Sequence, residues 1–253
     1  MELNLKGKTA IVTGGTRGLG KAISLALAKE GVNIVVNYNS RSKTADETVS
    51  EIKDKYKVGA MSLKADISSE EGVKNLFSEA LSKFGGVDIL VNNAGTCPIR
   101  LIKDTPLEEW ENTIRINLTG VFLTCRQMVN SLIKRGTGGK IINIASQAAY
   151  NGSARGKTPY SSSKGGVVSF TTSLAKEVAQ YDIRVNGVAP GMMYTEMTKS
   201  VLDAERDKYN KQIPIGRIAE VEEVANVVTF LAGDASSYIT GATVDVSGGV
   251  TGR

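Results

Sequence analysis

The stretch Thr13-Gly14-Gly15-Thr16-Arg17-Gly18-Leu19-Gly20 decides how the rest of the chain is read. It stands directly behind a short apolar run, Thr9-Ala10-Ile11-Val12-Thr13, and directly ahead of a helical pattern beginning at Lys21-Ala22-Ile23. A strand feeding a glycine-rich turn that opens a helix presents unpaired backbone N–H groups and the positive helix end to a pyrophosphate. Glycine permits the tight turn and lets a ligand approach the backbone with no Cβ in the way. The spacing is G-x-x-x-G-x-G (Gly14, Gly18, Gly20), a departure from the common dinucleotide fingerprint G-x-G-x-x-G. A glycine cluster alone is as readily an ordinary turn. With a strand before it and a helix after it, it reads as a dinucleotide site.

Working outward, strand and helix patterns alternate almost to the C-terminus. Apolar runs predict strands at 8–13, 33–38, 59–65, 89–92, 140–145, 184–189 and 243–246. Helical periods occupy 18–30, 42–57, 69–84, 106–135, 160–180 and 221–232. The runs are continuously apolar, as expected where helices cover both sheet faces. The pattern predicts one α/β domain over residues 1–253: a doubly wound Rossmann fold, its seven-stranded sheet mostly or wholly parallel. Segments 151–159 and 191–216 read as irregular excursions near the later strand ends, where such sheets bind ligands.

Composition narrows the chemistry. The chain has no histidine, which excludes Ser-His-Asp hydrolysis, Cys-His nucleophiles and histidine-ligated metals. Cys97 and Cys125 cannot build a zinc site, so no metal is expected, and they are too few to staple 253 residues, which predicts a reduced, cytoplasmic setting. The polar start Met1-Glu2-Leu3-Asn4 shows no targeting segment. No apolar run approaches the roughly 20 residues of a membrane span, so no membrane association is expected. The net charge of +5 is spread among 26 acids, and only 6% of residues are aromatic. That argues against nucleic acid and for anionic cofactors or an acidic partner.

Further features follow the glycine turn in a fixed order. Ala65-Asp66-Ile67 closes the third strand, and Asn92-Asn93-Ala94-Gly95 follows the fourth. Asn117 lies inside the long helical period, Ser146 ends the fifth strand, Tyr160-Ser161-Ser162-Ser163-Lys164 opens the next helix, and Ala189-Pro190-Gly191 follows the sixth strand. Singly these read as turns, caps or a solvated asparagine. Together, over about residues 8–249, they resemble the short-chain dehydrogenase/reductase family.

The resemblance implies Asn117, Ser146, Tyr160 and Lys164 as catalytic residues. Residues i and i+4 share a helix face, so Lys164 can stand near Tyr160. A phenol of pKa about 10 is a poor base at neutrality, and a neighbouring ammonium is expected to lower it. Ser146 would donate a hydrogen bond to the substrate oxygen as charge develops there. In the family, Asn117 holds a water that links Lys164 to solvent, Lys164 also bonds the nicotinamide ribose, and Tyr160 protonates a ketone as hydride arrives.

Cofactor choice can be argued from the second strand. An acid at its end would bind the ribose hydroxyls and repel a 2′-phosphate. Here the strand ends Asn37-Tyr38-Asn39-Ser40-Arg41, with no acid before Asp46. Arg17 and Arg41 are placed to meet a phosphate, which favours NADPH/NADP+. Asp66 and Ile67 would serve the adenine end, and Asn92, Asn93, Ala94 and Gly95 the adenosine ribose and nearby backbone. Thr195 would meet the nicotinamide carboxamide or the phosphates. Gly14, Thr16, Gly18, Leu19, Gly20, Asn37, Ser40, Pro190, Gly191 and Met193, with Tyr160 and Lys164, complete the expected cofactor contacts. Ser146, Gln147, Tyr160 and Met192 are the expected substrate contacts.

The C-terminal run Ile213-Pro214-Ile215-Gly216-Arg217, with Glu222-Glu223-Val224-Ala225 and Tyr238-Ile239-Thr240-Gly241, resembles the 3-oxoacyl-[acyl-carrier-protein] reductases. That implies a 3-oxoacyl thioester on acyl carrier protein, received by Lys134 and Arg135. It also implies a homotetramer in which the helices at 106–135 and 160–180 pair. Val167, Val168, Phe170 and Leu174 give the second of these more apolar positions than one buried face needs. Other residues pull elsewhere. Tyr181 stands where a second basic residue is common, and the segment between Ser146 and Tyr160 is slightly long and polar. Gln147 suits a dehydrogenase of a sugar, polyol or diol, and steroid-acting relatives share the C-terminal pattern. A non-catalytic dinucleotide sensor would usually lose Tyr160 or Lys164.

Overall fold

A computed structural model describes residues 2–40, 42–196 and 198–252. The strands are β1 (Thr9–Val12), β2 (Asn33–Tyr38), β3 (Ala60–Lys64), β4 (Ile89–Asn92), β5 (Gly139–Ile144), β6 (Ile183–Pro190) and β7 (Thr243–Val246). They form one seven-stranded sheet in the order β3-β2-β1-β4-β5-β6-β7, parallel at every pairing. The helices are α1 (Gly18–Lys29), α2 (Ser42–Tyr56), α3 (Glu70–Phe84), α4 (Leu107–Ile114), α5 (Gly120–Arg135), α6 (Ala148–Asn151), α7 (Thr158–Val178), α8 (Lys199–Gln212) and α9 (Val221–Ala232).

Successive strand residues point to opposite faces, and the apolar runs feed two separate cores. Ala10 and Val12 of β1, Ile34 and Val36 of β2, and Ile89 and Val91 of β4 pack with Ile23 and Leu27 of α1, Ile52 of α2 and Val228 of α9. Ile11, Val35 and Leu90, one residue out of phase, pack with Leu76 of α3, Met128 of α5 and Val167 of α7. The doubly wound parallel fold read from the sequence is therefore the fold observed. The strand order reverses between β1 and β4, and the carboxyl ends of those strands open a crevice there.

Several element boundaries differ from the sequence reading. The helical period at 106–135 divides into α4, a π-turn at Arg115–Thr119 and α5, with Gly120 N–H reaching back to the Arg115 carbonyl. One extra residue in a turn does not disturb the apolar period enough to be seen in sequence. Ser69 caps α3 through its side chain instead of opening the helix, and α7 begins at Thr158. The segment 191–216 is not irregular throughout, because α8 occupies much of it.

The glycine turn shows which of its glycines are obligatory. Gly14 has φ +60, and a Cβ on Gly20 would overlap the Gly14 carbonyl oxygen. Helix propensity favours alanine over glycine by about 1 kcal/mol, whereas forcing a methyl into closed space costs about 1–3 kcal/mol. Gly20→Ala should therefore lower the melting temperature and weaken dinucleotide binding. Gly165→Ala, in the interior of α7 with no atom nearer than 3.8 Å, should raise the melting temperature. Scanning calorimetry of the two variants checks both signs.

Candidate active site

A cavity of about 700 Å³ runs along the carboxyl ends of the strands, from the glycine turn to Ser146 and Tyr160. At one end Gly14, Thr16, Arg17, Gly18, Leu19 and Gly20 form its wall. No acid lies in the first turn of α1, and Arg17 at the N-cap makes no side-chain cap, so the helix dipole faces the cavity uncompensated. Thr13 Oγ1 accepts from the N–H groups of Asn93 and Ala94 at 2.9 and 3.0 Å. In return Asn93 Nδ2 donates to the carbonyls of Thr13 and Gly14 at 3.0 and 3.1 Å. These bonds hold the β1 and β4 turns together, and Thr13 is a participant the sequence reading missed. An anionic group fits this cradle.

Most of the expected residues line this one cavity. Asn37, Ser40, Asp66, Ile67, Ala94, Gly95, Pro190, Gly191, Met192, Met193 and Thr195 are in its wall with Ser146, Gln147, Tyr160 and Lys164. Arg41 lies outside the described residues. Asp66 accepts from Ser68 N–H and Oγ at 2.9 and 2.6 Å. Partial burial works against its charge, but the Ser68 bonds and the Arg115 guanidinium hold the carboxyl below its usual range. Asp46, the first acid after β2, accepts from Ser62 Oγ at 2.8 Å.

Some placements correct the sequence reading. The Asn92 side chain is not at the ribose. It is buried, donating to Asn143 Oδ1 at 2.9 Å and accepting from Thr124 Oγ1 at 2.7 Å. Arg17 stays in the cavity wall as expected, where it also forms an exposed ion pair with Glu196. Arg135 donates to the Val87 carbonyl and pairs with Asp88 at 3.0 Å, at the amino end of β4. It is thus committed away from the cavity, and only Lys134 of that pair is exposed.

The catalytic candidates converge from separate elements. Ser146 lies just beyond β5, its Oγ accepting from Ala148 N–H at 3.1 Å, and its hydroxyl acts on the Tyr160 phenol near the start of α7 to favour the charged form. Pro159, with its fixed φ, suits that first turn. Lys164 is buried, and its Nζ donates to the Ile144 carbonyl at 2.6 Å. Asn117 sits in the π-turn behind the cavity, fully buried. Its Oδ1 accepts from Thr96 N–H at 2.8 Å, and its Nδ2 donates to Thr96 O at 2.9 Å and Ser163 Oγ at 3.0 Å. With the side chain so engaged, a water on Asn117 would have to use its backbone.

Electrostatics also reverse one expectation. Burial pushes the Tyr160 phenol up to about 12, the bond from Ser146 pulling only partly the other way. Lys164 stands 5.9 Å from the Tyr160 ring centroid, and its own burial lowers it to about 8. Desolvation raises the phenol and lowers the ammonium, opposite in direction to the expected stabilisation of phenolate. The phenol is held protonated, the form that a proton donor needs. Cys97 lines the same region, its thiol raised by burial and drawn down by Lys157 and Lys164.

The fold and this cavity are those of a nicotinamide-dependent oxidoreductase, and comparisons with known proteins agree. A family model described as "Enoyl-(Acyl carrier protein) reductase" matches residues 14–251. The chain belongs to the short-chain dehydrogenase/reductase family. It is 41% identical over 250 residues to the 3-oxoacyl-[acyl-carrier-protein] reductase FabG of Aquifex aeolicus, covering 99% of this chain and 100% of that protein. It is 43% identical over 247 residues to the 3-oxoacyl-[acyl-carrier-protein] reductase of Synechocystis, covering 97% and 98%. A short-chain type dehydrogenase/reductase from Mycobacterium marinum superposes with TM-score 0.94 at 33% identity, over 98% and 97% of the two chains. Actinorhodin polyketide ketoreductase, solved with NADPH, superposes with TM-score 0.92 at 33% identity, over 97% and 98%.

Burial of Lys164 links the site to stability. Its folded value near 8 lies below the ordinary 10.5, so between these values the unfolded chain binds the extra proton. Stability contributed by this group therefore rises with pH across that window, the charged form being disfavoured in the fold below it. Tyr160, raised from 10.0 to about 12, acts in the opposite sense only above pH 10. Urea midpoints should show an upward component between pH 8 and 10 that Lys164→Met lacks, measured on both proteins across that range.

Proposed function

We propose that this chain reduces ketones with NADPH, and that its substrate is a 3-oxoacyl thioester carried on acyl carrier protein. The carrying observation is the convergence of Ser146 and Tyr160, with Lys164 anchored on the Ile144 carbonyl, in the same cavity as the glycine turn. The nicotinamide cofactor would supply hydride. Gly14 to Gly20 would hold its pyrophosphate on the α1 dipole, and Lys164 its nicotinamide ribose. Ser146 and Tyr160 then orient the ketone oxygen, and the protonated phenol gives up its proton as that oxygen becomes negative. Lys164, through the ribose and Asn117, would return the proton.

The relatives named as 3-oxoacyl-[acyl-carrier-protein] reductases support the substrate class. Lys134 is the basic side chain left to meet an acidic carrier. A homotetramer fits the outward apolar groups Leu107 on α4, Phe122 and Ile133 on α5, and the exposed Tyr238 near the C-terminal end. We take residues 1–253 as one domain and the protein as cytoplasmic. A second reading, a small hydroxylated ketone, is favoured by Gln147, whose Oε1 is buried without a partner and would accept from a substrate hydroxyl.

Tyr160→Phe removes the proton donor and leaves the glycine turn intact. It should lower kcat for acetoacetyl carrier protein by about 10²–10⁴-fold, the usual contribution of an acid–base group. NADPH affinity should be nearly unchanged. Steady-state kinetics with fluorescence titration reads both, and a variant that keeps most of its turnover rejects the mechanism.

NADPH preference is read from the missing acid after β2, from Arg17 and Arg41, and from the ketoreductase neighbour solved with NADPH. Removing either arginine should weaken NADPH by roughly 10- to 150-fold, the loss of a charge-assisted bond of about 1.5–3 kcal/mol. NADH should be little affected. Comparing KM for the two cofactors checks this, and equal losses would count against it.

A further inference from the structure

The polar segment between Ser146 and Tyr160 lines the cavity along residues 151–155. In the structure its contacts tie it on one side to the loop after β4 and on the other to α8. The Gly156 carbonyl accepts from Arg100 N–H at 2.8 Å. With φ +71, Gly156 brings the two loops so close that a Cβ there would lie 2.5 Å from the Arg100 carbonyl carbon. On the other side Arg155 reaches α8. Its Nη2 lies 2.8 Å from Glu205 Oε2, and its Nη1 donates to the Tyr209 hydroxyl at 2.9 Å. The guanidinium also stands 5.5 Å from the centroid of the Tyr209 ring. α8 departs from helical geometry at Glu205, with φ −133 and ψ 24, so the helix breaks at the residue that takes the ion pair. Arg155 and Tyr209 line the same cavity as Ser146 and Tyr160.

We propose that Arg155 is a specificity-determining residue: with Glu205 and Tyr209 it latches the 152–157 loop to α8 across the substrate end of the cavity. The inference deepens the ketone-reductase reading and rests on it. A ketone on a long carrier arm must part Arg155 from Glu205 to seat its reacting carbon at Tyr160. A small ketone passes beneath and is enclosed by the closed latch. Glu205 is shared with Lys208, 3.5 Å away, so the carboxylate has a second partner when Arg155 leaves. Exposed ion pairs are individually weak, and a guanidinium divided between a carboxylate, a phenol and a ring face adds modestly to one. Such a latch can be opened by a substrate and still bias which substrate is used.

The test compares acetoacetyl-CoA with ethyl acetoacetate, which present the same 3-oxo group on a bulky anionic thioester and on a small neutral ester. For wild type, Arg155→Ala and Glu205→Gln, the measured quantity is the ratio of kcat/KM for the thioester to that for the ester, both with NADPH. Taken on one preparation, the ratio is independent of how much of the protein is folded. Both variants should raise it by about three- to tenfold, the scale of a surface ion pair with its cation–π contact. Tyr209→Phe should move it less, in the same direction. The two main variants change the local charge in opposite senses. A plain charge effect on anionic CoA would therefore move the ratio down in one and up in the other. Opposite movements, or an unmoved ratio in enzymes that turn over both substrates, overturn the latch and leave the reductase reading standing. A wild type that reduces neither substrate overturns that reading and the latch with it.

Discussion

The structure depends on one constraint: the turns after β1 and β4 must stay together although no chain segment joins them directly. The two strands are neighbours in the sheet, yet α1, β2, α2, β3 and α3 separate them in sequence. Helices leave the sheet on opposite faces at this point, which opens the crevice. Thr13 and Asn93 oppose that opening through reciprocal hydrogen bonds between side chain and backbone. Leaving such partly buried donors and acceptors unpaired is costly, so parting the two turns is opposed. They hold the glycine turn in the shape that Gly14 and Gly20 permit, and the cofactor end of the cavity follows from that shape.

The chemistry at the other end of the cavity stands on a buried polar scaffold. Asn117 is engaged by Thr96 and Ser163, linking the π-turn to the loop after β4 and to α7. Farther in, Thr124, Asn92, Asn143 and Thr171 form a continuous chain of hydrogen bonds from α5 through β4 and β5 to α7. A fully satisfied network of this kind fixes the relative positions of the elements it joins. That rigidity lets Lys164 remain buried on the Ile144 carbonyl, in one cavity with Ser146 and Tyr160. It also explains why desolvation, more than attraction between neighbouring charges, governs the acid–base balance of the site.

The segment from Met192 to Gln212 is held differently. Its ties to the rest of the molecule include the Arg17–Glu196 pair at the cofactor end and the Arg155–Glu205 pair at the substrate end. Both pairs are solvent-exposed and so are weak compared with the buried network. Strand ends and buried amides hold Ser146, Tyr160 and Lys164 rigidly, while exposed charge pairs hold the neighbouring segment from outside. The division suits a site that must hold its geometry and still admit a ligand.

The sequence by itself determined the alternation of elements and hence the parallel doubly wound sheet, because apolar periodicity and glycine spacing are local properties of the chain. It also marked Asn117, Ser146, Tyr160 and Lys164 by their order along those elements. Tertiary structure alone decided what these groups face. Whether Asn92 points to a ribose or into the core depends on Asn143 and Thr124, distant in sequence. Arg17 meets a carboxylate 179 positions further along the chain. The proton affinity of Tyr160 runs opposite to the sequence expectation because spacing reports nearness, whereas desolvation reports enclosure by every element around a group. The break at Asn117 and the reach of Arg155 to α8 were likewise invisible, since each exists only once separate parts of the chain have packed together.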